Sequence, residues 1–91
     1  MATDFEYQAF RLLRAIYDLA GGSPGVPVGG ADAAQKAGID YSWLEYSPMM
    51  SYLEGEGWVD SMDIVGGGVM LQITPEGVRE VEEGGPPISP A

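Results

Sequence analysis

Met50-Ser51-Tyr52-Leu53-Glu54-Gly55-Glu56-Gly57-Trp58-Val59 leads, through a hairpin tipped by Gly66-Gly67-Gly68, into Ile73-Thr74-Pro75-Glu76-Gly77, and this order decides the architecture. The first part reads as the end of a helix, with Leu53 placed four residues before a Gly57-Trp58-Val59 turn. Two strand-like runs follow, Trp58 to Asp63 and Val69 to Thr74. In the second, Val69, Leu71 and Ile73 alternate onto one face, as a half-buried strand requires. Successive glycines at the tip permit positive φ without specifying one turn, so a mobile tip is expected. Thr74 is placed to cap a last helix, with Pro75 at its first position and Val78 and Val81 turned inward.

Upstream, Asp4 to Ala20 has the clearest helical period. At 100° per residue, Leu19, Leu12, Phe5, Ile16, Ala9, Ala20, Leu13, Tyr17 and Phe10 form one apolar arc opposite Gln8, Arg11, Arg14 and Asp18. The arc is wider than the roughly 100° stripe that one small core requires. Its Phe10/Tyr17 edge is therefore left for one of two uses, a homodimer contact or cover for the C-terminal helix. Gly21 to Gly30 reads as a connector with a short extended piece at Val26-Pro27-Val28; it lacks the lysine and hydroxyl that would make it a phosphate cradle. Ala31 to Ala37 reads as a short helix stopped by a left-handed Gly38. Asp40 and Ser42 are candidate caps for the next helix, and Ser42-Trp43-Leu44-Glu45 fits a capping box. Pro48 is expected to kink that helix or divide it, with Ser47 capping the second segment.

The resulting order is helix, short strand, helix, helix, strand, strand, helix. Together with the Leu53 to Val59 spacing and the Thr74-Pro75-Glu76-Gly77 step, it resembles winged-helix domains of the MarR and PadR type, from Phe5 to Glu83. The resemblance implies an α+β, mostly helical fold: a three-helix core, a C-terminal β-hairpin wing and a short final helix. One domain over residues 1–84 is expected, with a disordered tail at 85–91. It also implies a DNA-binding surface, in which the third helix enters the major groove and the wing contacts the adjacent backbone.

The charges contradict that last implication. Of 91 residues, 14 are Asp or Glu and four are basic, a net charge of −10. The basic residues are Arg11, Arg14, Lys36 and Arg79, so residues 37–78, which hold the third helix and the wing, contain no lysine or arginine. With Tyr46, Met50 and Leu53 as its inward positions, the third helix would expose Glu45, Ser47, Pro48, Met49 and Tyr52, and the wing adds Asp60 and Asp63. No bidentate partner for guanine or adenine is among them. Neutralising about 6–10 phosphates is beyond four cations spread over three helices. The field of the whole chain favours cationic partners, although acidity also serves solubility alone.

With no cysteine and no histidine, the chain has neither a disulfide framework nor the commonest catalytic base. No nucleophile stands beside a base, and Glu54/Glu56 and Asp60/Asp63 read as solvated carboxylates, not a hydrolytic or calcium couple. The expectation is a cytoplasmic protein that is not an enzyme, with no cofactor, no metal and no membrane partner. Tyr41, Pro48, Met49 and Tyr52 are the candidate apolar anchors for a protein partner, with Glu45, Asp60 and Asp63 facing its basic groups. Phe10 and Tyr17 are the candidate homodimer residues. The alternatives are a dimeric DNA-binding regulator that uses Arg11, Arg14 and Lys36, and an inhibitor whose acidic face imitates DNA.

Overall fold

The computed structural model describes residues 4–39, 43–63 and 68–84, except for the side chains of residues 4, 43–47 and 63. Among the described residues the chain forms α1 (Asp4–Leu19), β1 (Val28–Gly29), α2 (Gly30–Ala37), α3 (Trp43–Gly55), β2 (Val59–Asp63), β3 (Val69–Ile73) and α4 (Pro75–Glu82). This is a mixed α+β arrangement of four helices and one antiparallel sheet in the order β1-β3-β2.

The breadth of the apolar arc on α1 follows from its place at the centre, in contact with α2, α3, α4 and β3. Leu12, Leu13 and Ile16 are fully buried. Ala15, outside the arc read from the sequence, is buried too, while Phe5 and Leu19 at the ends of the helix are 40% and 42% exposed. A helix with neighbours on several sides hides more than one stripe but leaves its ends open. α2 begins one residue earlier than expected and buries only small residues, Gly30, Ala33, Ala34 and Ala37. It ends as expected at Gly38, whose φ of 73° is left-handed and whose N–H reaches the carbonyls of Ala34 and Gln35. Only glycine takes that conformation without steric cost.

α3 corrects one of the two outcomes expected of Pro48, the division: one continuous helix runs through it and Ser47 starts no second segment. The missing donor costs one bond to the carbonyl of residue 44, and the helix is anchored after Pro48 by the buried Met49, Met50 and Leu53. The candidate caps Asp40 and Ser42 lie outside the described residues, as do most of the hairpin tip and residues 85–91.

In the hairpin, Val59 pairs with Ile73 and Ser61 with Leu71, while Val28 pairs with Leu71 from the other edge. Leu71 and Ile73 are buried and Val69 packs against the core, in keeping with the alternation of β3. The hairpin joins α4 through Thr74. Its N–H donates to the Trp58 carbonyl (2.9 Å), and its hydroxyl accepts from the Gly77 N–H (3.0 Å) while donating to the Gly57 carbonyl (2.6 Å). Thr74→Ala is therefore expected to cost about 1–2 kcal/mol, read as a lower midpoint in urea, and Thr74→Ser to recover most of it.

Candidate functional site

Of the side chains singled out for a partner, Pro48 on α3 and Asp60 on β2 are exposed. Pro48, Ser51 and Glu54 are exposed and follow one another at intervals of three, so they share one side of α3. β2 is an edge strand; beyond the buried Val59, its Asp60, Ser61 and Met62 are all exposed, Met62 at 47%. The Ser61 hydroxyl donates to the Glu54 carboxylate, which ties the end of α3 to β2. Side chains alternate along β2, so Asp60 and Met62 lie on the side opposite Val59 and Ser61; the exposed side of α3 adds Pro48 and Glu54, and neither element carries a cation.

Two candidate anchors are placed differently from the sequence expectation. Met49 is only 8% exposed and belongs to the core. Tyr52 is half-buried, with its ring against Phe5 (centroids 5.7 Å apart, planes at 75°) and Trp58 (6.2 Å, 86°) and its hydroxyl donating to Glu6 Oε2 at 3.3 Å. Apolar residues occur all around α3, so its sequence defines no single inward side. The first turn of α1, which brings Phe5 and Glu6, covers the side that holds Met49 and Tyr52. Tyr41 lies outside the described residues, as do the side chains of Glu45 and Asp63.

The environment of Tyr52 has a measurable consequence. Burial raises its pKa above the usual 10.0, and the carboxylates of Glu6, Glu56 and Glu80 push the same way. Because the folded value lies above the unfolded one, this contribution to stability is fully present below pH 10.0 and is lost as pH rises through the folded value. Tyr17 adds to the same alkaline loss, its pKa raised chiefly by the bond to Glu82. We expect stability to hold up to about pH 9 and fall above it, and Tyr52→Phe to flatten that fall in urea titrations.

Of the candidate dimer residues, Tyr17 is half-buried and donates to Glu82 Oε2 on α4 at 3.0 Å. Phe10, two turns before Tyr17 on the same side of α1, is partly buried and packs against the core. It also lines a groove of about 390 Å³ between α1 and α2, together with Arg11, Arg14 and Lys36. The four cations lie on three helices as expected, but three of them converge on this groove, and Arg79 alone is elsewhere, on α4. They are brought together because Arg11 and Arg14 lie on the outer side of α1 facing the last turn of α2, which holds Lys36.

The chain matches no family model, no curated protein and no solved structure. Among the described residues no cluster of side chains is suited to a metal ion, and no helix is long and apolar enough to cross a membrane.

Proposed function

We propose that this chain is a winged-helix domain that acts by binding another protein through the face formed by α3 and the hairpin, not by reading DNA with its third helix. The element order and the β1-β3-β2 sheet are compatible with that fold. The observation that carries the reading is the complete lack of lysine and arginine between Lys36 and Arg79. Where a duplex-binding face needs cations, the exposed side chains are Pro48, Ser51, Glu54, Asp60, Ser61 and Met62. Phosphate contacts supply most of the affinity for duplex DNA, and carboxylates repel them. A partner that offers basic groups and an apolar contact matches exposed residues of both kinds, Glu54 and Asp60 with Pro48 and Met62.

Titration with labelled random duplex DNA at about 50 mM salt, where electrostatic binding is strongest, is expected to give no binding. Capture from the native host is expected to yield a protein that is retained by the unaltered chain and lost with Asp60→Lys/Met62→Lys. Retention of every captured protein by that variant would remove this face from consideration. One observation favours a second reading, that of a DNA-binding regulator: Arg11, Arg14 and Lys36 share a groove. Micromolar binding in the duplex titration would put that reading first.

A further inference from the structure

The groove between α1 and α2 has a floor and a rim of different chemistry. Phe10, Ala15 and Ala37 supply apolar surface with Tyr7, and Arg11, Arg14 and Lys36 outnumber the one carboxylate of the lining, Asp18. Arg11 is partly committed, since its Nη2 donates to the Ala37 carbonyl at 2.7 Å and so neutralises the negative end of α2. Arg14 is exposed and only loosely held, with Nε 3.8 Å from Asp18 Oδ1, a surface pair of little energetic weight. Lys36 is exposed and has no ion-pair partner among the described residues. Two positive side chains thus remain available over an apolar floor, on a molecule of net charge −10.

We propose that this groove docks an acidic, amphipathic peptide segment of a partner protein, with apolar side chains on the floor and carboxylates against Arg14 and Lys36. Charge complementarity selects the sign of the ligand, and the apolar floor selects a chain that carries hydrophobic side chains beside its carboxylates. A duplex fits less well, because its charges recur about every 1.7 Å along the axis and continue past the groove onto an acidic surface. A second copy also fits less well, since it brings a further charge of −10, whereas a short segment brings only the charges that the groove meets. This site is separate from the face of α3 and the hairpin and does not depend on it.

Fluorescence anisotropy of the full chain with a labelled peptide of alternating glutamate and leucine tests the proposal, with a glutamine and leucine peptide as control. Saturable binding of the acidic peptide alone is expected, weakened about tenfold by Arg14→Glu combined with Lys36→Glu. Arg79→Glu, a charge reversal outside the groove, is expected to leave binding within about twofold. Arg11 is spared because it holds the end of α2, and circular dichroism confirms that the variants fold. Absence of saturable binding, equal binding of the glutamine peptide, or an equal loss in Arg79→Glu would overturn the proposal. So would self-association in sedimentation that Arg14→Glu/Lys36→Glu abolishes, which assigns the groove to a second copy, or binding of duplex DNA that the same variant abolishes.

Discussion

Gly77→Ala is expected to destabilise the protein by about 3 kcal/mol, at the upper end of the usual cost of overpacking. A Cβ on Gly77 would lie 2.2 Å from the carbonyl oxygen of Trp58 and 2.7 Å from Cγ1 of Ile73. The first obstacle is backbone, and it cannot move freely because that oxygen already accepts the Thr74 N–H. Relief would require the first turn of α4 to lift from the start of β2, with loss of the bonds that Thr74 makes to Gly57 and Gly77. Gly55→Ala is the matched control: nothing lies within 4 Å of its Cβ position, and removing flexibility from the unfolded chain should leave stability unchanged or raise it by about 0.5 kcal/mol. Urea denaturation of the two variants measures the contrast, and equal midpoints would show that α4 does not press on the turn at Trp58.

Leu53→Ala is expected to cost about 3–4 kcal/mol, within the range of leucine truncations at fully buried sites. Leu53 has no exposed surface, and its carbonyl accepts the Trp58 N–H at 3.1 Å, so it stands where α3 turns into β2. A domain of this size has a total stability of roughly 5–14 kcal/mol, of which this loss is a large share. The proposed partner binding should weaken with it, because the buried side of α3 sets the orientation of Pro48, Ser51 and Glu54 on the exposed side. Reduced near-ultraviolet dichroism and a lower urea midpoint are the expected signs. Leu19→Ala, at a residue 42% exposed, should cost under about 1 kcal/mol.

Much of the architecture was legible in the chain because its signals are local. Gly38 ends α2, Thr74 and Pro75 open α4, and the alternation of Val69, Leu71 and Ile73 marks β3. Each depends on side chains acting on backbone groups a few residues away. The candidate site was less legible. Pro48 and Asp60 are exposed as expected, but Met49 and Tyr52 face inward, because a helix apolar on every side takes its orientation from its neighbours. Gly77 was read as part of a recurring step without a reason for glycine; the reason is its closeness to Trp58, remote in sequence.

The order of the elements and the sign of the α3 and hairpin surface needed nothing beyond the chain itself, since caps, turn residues and a stretch without lysine or arginine keep their meaning in any packing. Which side of α3 is hidden, and the meeting of Arg11 and Arg14 with Lys36 in one groove, came from long-range packing. The close contact of α1 with the small-residue side of α2 joins positions that no local rule connects, and so creates a concavity with three cations in its lining.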